Sequence, residues 1–282
     1  MPILQISGSR VEYLELGSGE PVLLLHSSAS SGTQWRALAE RLGERYRVIV
    51  PDLYGYGGTA HWPGRSPFHL ECEAEIVLGL LGRVGRRAHL VGHSYGGAVA
   101  LHVAGLHGDL LRSLTLIEPV AFHLLRGPDA PALAEITEVA DSVARAIACG
   151  EYVAGFGRFV DYWSSPEASA QLTADKRYAM AARLPKIALE FHATLNEPSR
   201  LEDFRLMTVP TLLLHGTSSP LPTRRICELL ARVLPEAQLK TIGGAGHMAP
   251  VTHRDQVNAL VIAQLDSNSG RAPRCERAPI LS

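Results

Sequence analysis

The sequence predicts an α/β fold in which a mostly parallel central sheet is flanked by helices and carries an inserted helical cap. Short apolar runs typical of buried strands alternate with longer segments of helical periodicity along most of the chain. Such alternation favours a parallel sheet with helices on both faces. It stops between about residues 122 and 203, where the pattern is helical only. At 282 residues the chain is long enough to bury one large core with an insertion.

Composition excludes several classes of partner. A formal net charge of -1 gives no electrostatic case for nucleic acid or for an anionic membrane surface, so a small-molecule substrate is the expected partner. The N-terminus has no charged segment followed by an apolar run, and no stretch reaches about 18 apolar residues. We therefore expect a cytoplasmic protein without a membrane segment, either a monomer or a homodimer.

The cysteines predict neither a metal site nor a disulfide framework. Cys72, Cys149, Cys227 and Cys275 lie far apart and form no Cys-x-x-Cys spacing. They are typical of free thiols in a reducing compartment. No metal and no cofactor are predicted.

The first part of the chain contains the elements expected to build one half of the sheet. The turn Ser7-Gly8-Ser9 separates the first two strands, and the apolar run that follows is typical of a strand covered on both faces. Strands are predicted at residues 3–6, 11–16, 21–26 and 47–50, with helices at 34–42 and 70–84.

The most informative stretch surrounds Ser94. Residues 88–91 form an apolar strand, Gly92-His93-Ser94-Tyr95-Gly96 a tight Gly-x-Ser-x-Gly turn, and residues 97–107 a helix rich in small residues. Such a turn strains the serine backbone and exposes its hydroxyl above the sheet, and it requires glycines because a Cβ there would collide with neighbouring backbone. The helix N-terminus points toward the serine, so the Tyr95 N–H is placed to bind an oxyanion. Ser94 is predicted to be a nucleophile.

The second half resumes the alternation after the helical region. Strands are predicted at residues 114–118, 211–215 and 238–242, and helices at 132–148, 152–162, 174–196, 223–234 and 253–265. The predicted domains are a core of residues 1–121 and 204–266 and a cap of residues 122–203. The Ser-, Gly-, Pro- and Arg-rich tail 267–282 is expected to be disordered.

Several motifs occur in a characteristic order. They are the apolar strand ending in His26, Asp52-Leu53-x-Gly55-x-Gly57, the turn around Ser94, and Gly246-His247 near the end. Together they resemble the α/β-hydrolase fold family, in its cap-bearing esterase, haloalkane-dehalogenase and C–C-hydrolase branch. The resemblance covers roughly residues 3 to 265 and implies that fold and hydrolytic activity.

The resemblance implies a base and an acid for Ser94. The histidine in the loop after the last strand corresponds to His247, which would accept the serine proton. Most relatives place the acid after the strand that ends here near His215, but residues 217–222 contain no carboxylate. Some members place it one strand earlier, at the position of Glu118, and we predict Glu118 as the acid. The alternative for Glu118 is a loop cap or a partner for a cap arginine.

Two other histidines near these motifs are predicted to be structural. His93 is expected to point away from the site, and His26 to fix its loop. By its position after His26, Ser28 would supply the second oxyanion N–H, with Ser27 in the place of the usual glycine. The alternative is a flexible serine-rich loop.

The cap is predicted to supply an apolar substrate pocket. It contains eight of the 17 Phe, Trp and Tyr residues. The predicted substrate-binding residues are Phe122, Phe156, Phe159, Trp163 and Met248. The alternative is that these aromatic residues only form the core of the cap.

These residues together predict a serine hydrolase. It would cleave carboxylic esters of small to medium, mainly apolar substrates through an acyl-enzyme, with Ser94, His247 and Glu118 as the catalytic triad and Tyr95, Ser28 and Ser27 as the oxyanion hole. Ser94 argues against dehalogenases and epoxide hydrolases, which use an aspartate. The alternatives are a C–C bond hydrolase of vinylogous diketones and a ligand-sensing receptor with this fold.

Overall fold

The described residues of the computed structural model, 1–64 and 67–270, form one twisted sheet flanked by helices. Its strands are β1 Ile3–Ile6, β2 Ser9–Leu16, β3 Glu20–Leu25, β4 Tyr46–Pro51, β5 Ala88–His93, β6 Leu111–Ile117, β7 Thr211–Gly216 and β8 Ala237–Ile242. Their order across the sheet is β1-β2-β4-β3-β5-β6-β7-β8. The pairs β1–β2 and β2–β4 are antiparallel and all others are parallel. The predicted α/β class is confirmed.

Helices connect the parallel strands and fill the region between β6 and β7. Within the described ranges they are α1 Arg36–Leu42, α2 Leu70–Val84, α3 Tyr95–His107, α4 Ala130–Ala148, α5 Tyr152–Trp163, α6 Ala174–Ala181, α7 Leu184–Asn196, α8 Leu221–Val233, α9 Ala249–Thr252 and α10 Arg254–Asn268. Short 3₁₀ turns occur at Gly32–Trp35, Gly108–Leu110, Phe122–Leu125, Ala168–Gln171 and Leu201–Leu206.

The sheet is buried on both faces because its strands are apolar at consecutive positions. In β3, Leu23 and Leu25 pack into the core shared with α2, α3 and α8, whereas Val22 and Leu24 pack into the core shared with α1 and α10. This two-sided burial follows from the period-2 geometry of a strand. It holds the ends of the central strands in fixed positions.

The carboxyl ends of the parallel strands meet at one edge of the sheet. The loop after β3, the turn after β5, the residue after β6 and the loop after β8 all lie at this edge, because β3, β5, β6, β7 and β8 run in the same direction. Open α/β sheets bind their ligands outside this edge. The candidate functional residues lie here.

One predicted helix in the inserted segment, which we define as residues 122–203, is wrong. The sequence predicts one helix over 174–196, but α6 ends at Ala181 and α7 begins at Leu184. Pro185 lies in the first turn of α7. Proline has no N–H for the preceding turn, and its ring clashes with the carbonyl four residues before it, so the helix is interrupted before this position.

The C-terminal boundary also differs from the prediction. Helix α10 continues through Asn268, and the Asn268 side chain is buried. The helix therefore includes the first two residues of the predicted disordered tail, and residues 271–282 lie outside the described residues. In the part of the chain that the structure describes, no helix has the length and apolarity needed to cross a membrane.

Candidate active site

Ser94 occupies a strained turn between β5 and α3. Its backbone has φ +56° and ψ -116°, a conformation that L residues rarely adopt. The turn is tight enough that a Cβ at Gly92 would overlap the carbonyl oxygen of Gly96, and one at Gly96 would overlap the backbone of Leu25. These contacts, together with a hydrogen bond from the Ser94 N–H to the Ile117 carbonyl (2.9 Å), hold the serine at the strand edge.

His247 lies in the loop after β8 and contacts both other predicted triad residues. Its Nε2 is 2.9 Å from Ser94 Oγ, and its Nδ1 is 2.8 Å from Glu118 Oε2. Ser94, Glu118 and His247 are 5%, 0% and 3% exposed. The structure therefore brings the three residues into one buried, hydrogen-bonded chain.

Glu118 follows β6 directly and has φ +47°, which is unusual for a residue with a side chain. Besides His247, its carboxylate accepts hydrogen bonds from the Gly216 N–H (3.0 Å), the Ser219 hydroxyl and the Thr223 hydroxyl (3.0 Å). Burial by itself raises the pKa of Glu118, but the bonds from His247, Ser219 and Gly216 outweigh it and lower this pKa to about 2. Glu118 is therefore ionised at any pH near neutrality.

The predicted oxyanion residues all line the pocket, but only some of them have an N–H group that is free to bind an oxyanion. The backbone N–H groups of Ser28 and Tyr95 make no hydrogen bond within the described residues, and both residues line the pocket. The N–H and hydroxyl of Ser27 both donate to Gln34 Oε1, at 3.1 and 2.8 Å. Ser27 therefore fixes the loop and offers no free donor, which corrects its predicted place in the oxyanion hole.

His26 fixes the same loop from below, as expected. Its Nε2 accepts the Leu53 N–H (3.0 Å), and its Nδ1 is 2.8 Å from the Ser27 carbonyl oxygen. Because the first bond requires an unprotonated Nε2, the ring proton is on Nδ1 and donates to Ser27. This tautomer ties the loop carrying Ser28 to the end of β4.

His93 does not simply point away from the site, as the sequence analysis expected. Its Nε2 donates to the backbone carbonyl of His247 (2.9 Å), its Nδ1 accepts from Gln34 Nε2 (3.0 Å), and its ring lies 5.1 Å from the His247 ring. Gln34 thus links the Ser27 loop to His93, which in turn positions His247. No motif in the sequence marks Gln34, and the sequence predicts only that His93 points away from the site.

The buried His93 predicts an acid-dependent loss of stability. Burial and the neighbouring His247 charge lower the pKa of His93 to about 3, from an ordinary value of 6.5. Between these values the unfolded chain binds a proton that the folded chain excludes. The contribution of His93 to the free energy of unfolding is therefore fully present above pH 6.5. It is lost as the pH falls toward 3, and the loss amounts to at most about 5 kcal/mol.

Urea unfolding of the wild type and of His93→Gln tests this dependence. Between roughly pH 7.5 and 5.5, the free energy of unfolding is expected to decrease by about 1 kcal/mol less in the variant than in the wild type. His61→Gln, at an exposed histidine, is the matched control and should keep the wild-type slope. An unchanged slope in His93→Gln would show that the folded protein does not exclude the proton from His93.

A narrow pocket lies above Ser94, between the strand ends and the inserted segment. About 50 Å³ is open to water-sized groups. Its walls are largely apolar and its lining is Ser27, Ser28, Ser94, Tyr95, Val120, Phe122, Phe159, Trp163, Ile187, Glu190, Phe191, Thr194, His247 and Met248. The inserted segment therefore supplies much of the surface that a substrate would contact.

Four of the five predicted substrate-binding residues line this pocket: Phe122, Phe159, Trp163 and Met248. Phe156 does not. It is fully buried in the inserted segment, with its ring 6.3 Å from that of Phe159. Trp163, two turns farther along α5, reaches the His247 ring at 4.2 Å.

Helix α7 contributes four lining residues that the sequence did not lead us to predict. Ile187, Glu190, Phe191 and Thr194 face the pocket. Glu190, Phe191 and Thr194 follow Ile187 by three, four and seven residues, a spacing that places all four on one face of a helix and is visible in the sequence. The spacing does not indicate which side of α7 faces Ser94.

Comparison with known proteins identifies the family. Residues 22–260 match the alpha/beta hydrolase family. The chain belongs to this family. It is a hydrolase with the mostly parallel sheet and flanking helices of that fold.

Individual relatives of this alpha/beta hydrolase are distant but match over most of their length. A 2-hydroxymuconate semialdehyde hydrolase of Pseudomonas sp. (strain CF600) is 26% identical over 90% of this chain and 90% of its own. Lipase 3 of Moraxella sp. (strain TA144) is 26% identical over 87% of this chain and 78% of its own. The crystal structure of a hydrolase from Pseudomonas aeruginosa PA01 has a TM-score of 0.75 and 26% identity, and the match covers 94% of this chain and 97% of the other.

Across the described ranges of this hydrolase, no group of three or more His, Cys, Asp and Glu side chains is arranged to hold a metal ion. The groups that this site offers for chemistry are the hydroxyl of Ser94, the imidazole of His247 and the free N–H groups of Ser28 and Tyr95.

Proposed function

We propose that this hydrolase cleaves carboxylic esters with small to medium, mainly apolar groups through an acyl-enzyme. The observation that carries the proposal is the continuous chain Glu118–His247–Ser94, with contacts of 2.8 and 2.9 Å, beneath an apolar pocket. A nucleophile, its base and the group that orients the base are all within hydrogen-bond reach, as acyl transfer requires.

In the proposed acylation step, Ser94 Oγ attacks the ester carbonyl carbon while His247 Nε2 takes the hydroxyl proton. Glu118 holds the Nδ1–H tautomer and stabilises the imidazolium. The carbonyl oxygen becomes an oxyanion between the free N–H groups of Ser28 and Tyr95, the latter at the N-terminus of α3. The intermediate then expels the alcohol, which receives its proton from His247.

In the proposed deacylation step, water replaces the alcohol. His247 takes a proton from the water, whose oxygen attacks the acyl carbon attached to Ser94 Oγ. The second oxyanion collapses, the carboxylic acid leaves, and His247 returns the proton to Ser94. Atoms and charge balance over the cycle without a cofactor.

The pocket favours an uncharged ester over an anionic substrate. Among the described residues that line the pocket there is one carboxylate, Glu190, and no lysine or arginine. A carboxylate on the substrate would experience repulsion from it in a site of low dielectric. The apolar lining from Phe122, Phe159 and Trp163 instead favours an acyl or alkyl group.

C–C bond cleavage is the second candidate, because the Pseudomonas relative is a 2-hydroxymuconate semialdehyde hydrolase. The same serine, histidine and acid can serve such a reaction. A muconate-derived substrate carries a carboxylate, however, and would have to approach Glu190.

Hydrolysis of p-nitrophenyl esters from acetate to dodecanoate, alongside 2-hydroxymuconate semialdehyde, tests the proposal. We expect turnover of the esters with an optimum among the short acyl chains, because the open volume is about 50 Å³. Ester kcat/KM should exceed that for the semialdehyde. Cleavage of the semialdehyde without ester turnover would replace ester hydrolysis by C–C cleavage.

A further inference from the structure

A buried ionic cluster, formed by Glu73, Lys186 and Glu190, lies beside the pocket. Lys186 Nζ is 2.9 Å from Glu73 Oε1 and 2.9 Å from Glu190 Oε1. The side chains of Glu73, Lys186 and Glu190 are 0%, 9% and 3% exposed. With two carboxylates and one ammonium the cluster has a net negative charge. Buried charge of one sign requires a compensating partner.

The two carboxylates differ in how they are satisfied. Glu73 uses both oxygens, since Oε1 binds Lys186 and Oε2 accepts the Tyr54 N–H (3.1 Å). Glu190 uses only Oε1. Its Oε2 is buried and makes no hydrogen bond within the described residues. Leaving a charged acceptor unpaired is costly, so this oxygen is a candidate for binding a ligand.

Two hydroxyls lie near the same carboxylate. Glu190 contributes to raising the pKa of both Tyr56 and Tyr95 well above its ordinary value, next to the larger effect of burial. The hydroxyl of each tyrosine is buried without a hydrogen bond of standard geometry in the described part of the chain. Several polar atoms thus converge beside the pocket, and the Tyr56 hydroxyl interacts with the Glu190 carboxylate.

A purely structural clamp does not account for Glu190. Lys186 and Glu73 already connect α7 to α2. The ammonium of Lys186 also lies over the rings of Phe68 and Tyr95, at 4.5 and 4.8 Å. The Glu190 carboxylate adds negative charge to the Lys186–Glu73 ion pair. Glu190 also lines the pocket, together with Ile187 and Thr194 on the same helix.

We infer that Glu190 Oε2 is a specificity subsite that binds a hydrogen-bond donor, a hydroxyl or an ammonium group, carried by the ester substrate. The inference rests on the proposed ester hydrolysis and adds the substrate class: an ester with an apolar chain that ends in a donor. The donor would form a hydrogen bond to Glu190 Oε2, and an ammonium group would also offset the negative charge of the cluster.

Matched esters test the subsite in the intact protein. Methyl esters of ω-hydroxy and ω-amino acids of about four to eight carbons are compared with methyl esters in which a methyl group replaces the donor. Acetate monoesters of diols test a donor on the alcohol side in the same way. We expect kcat/KM to favour at least one donor-bearing ester by about 10- to 100-fold, the range of a charge-assisted hydrogen bond.

Glu190→Gln removes the acceptor and keeps the side-chain shape. Its amide oxygen can still accept from Lys186, whereas its NH₂ group faces the substrate. An ammonium group cannot accept a hydrogen bond from this NH₂, as a hydroxyl can, so the ω-amino esters are the deciding pair for this variant. We expect the preference, measured as the ratio of kcat/KM within each pair of esters, to fall to about onefold. Glu197→Gln changes a buried glutamate that is paired with His102 (3.3 Å) outside the pocket lining, and it should keep the preference. Thermal unfolding of both variants monitors the fold.

The outcomes separate the subsite from the proposed function. Turnover of methyl-terminated esters tests ester hydrolysis alone, whereas the ratio between paired esters tests Glu190. Equal kcat/KM for all pairs in the wild type, or a preference for ω-amino esters that persists in Glu190→Gln, would overturn the subsite and leave the cluster with a structural role only.

Discussion

Ser94→Ala is expected to reduce kcat for p-nitrophenyl esters by about 10⁶-fold, the typical effect of removing the nucleophile from a serine triad. Alanine cannot form the acyl-enzyme, so only the oxyanion donors and the pocket remain to assist attack by water. The fold should persist, because the strained turn depends on Gly92 and Gly96 and on backbone contacts of residue 94. Steady-state hydrolysis and thermal unfolding measure the two effects.

Ser113→Ala is the matched control for this change. Ser113 is a buried serine whose hydroxyl contacts a histidine, His89 Nδ1, at 2.7 Å, but it lies in β6 and outside the pocket lining. Its removal is expected to leave kcat within about twofold of wild type, since it touches no reacting group. A fluorophosphonate should label the wild type and Ser113→Ala with loss of fluoride, and should not label Ser94→Ala. More than a few per cent of residual activity in Ser94→Ala would exclude Ser94 as the nucleophile.

Glu118→Gln is expected to reduce kcat by about 10⁴-fold, the usual cost of losing the orienting carboxylate of a triad. The surroundings of Glu118 explain the size of the effect. Oε1 accepts the Gly216 N–H, which can only donate, so the amide oxygen is held on that side. The NH₂ group must then face His247, which would turn to the tautomer protonated at Nε2. That nitrogen could no longer take the proton of Ser94.

The pH profile and a control variant identify this cause. Because the pKa of Glu118 is about 2, its ionisation does not contribute to the acid limb of kcat/KM in the wild type at pH values above about 4. Glu197→Gln, at the buried glutamate paired with His102, should leave kcat unchanged. A decrease of only a few-fold in Glu118→Gln, with unchanged thermal unfolding, would remove Glu118 from the reaction.

Local sequence patterns determined the framework of this protein. Apolar runs such as residues 21–26 predict buried strands because a strand covered on both faces leaves no position for polar side chains. The glycines around Ser94 predict its turn because the required backbone approach excludes a Cβ. The contact between Ser94 and His247, 153 residues apart, agrees with what these motifs and the family resemblance implied.

Local patterns were less informative where one residue overrides a long periodicity. The sequence predicts a continuous helix over 174–196, and Pro185 divides it because a single missing N–H and a ring clash outweigh favourable spacing on both sides. Likewise, the helical spacing of Ile187, Glu190 and Thr194 was visible, but spacing alone does not tell which side of a helix faces a pocket.

Tertiary structure alone decided the contacts between side chains from distant segments. Glu118 lies beside His247 because β6 and β8 flank β7 with their ends at the same edge. Both donors of Ser27 are engaged because Gln34 Oε1 lies within hydrogen-bond distance of them. The pairing of Lys186 with Glu73, and the unused oxygen of Glu190, depend on how α7 packs against α2. A sequence fixes which groups a chain carries and the local conformations they favour, whereas hydrogen bonding and burial depend on distances that only the packed chain defines.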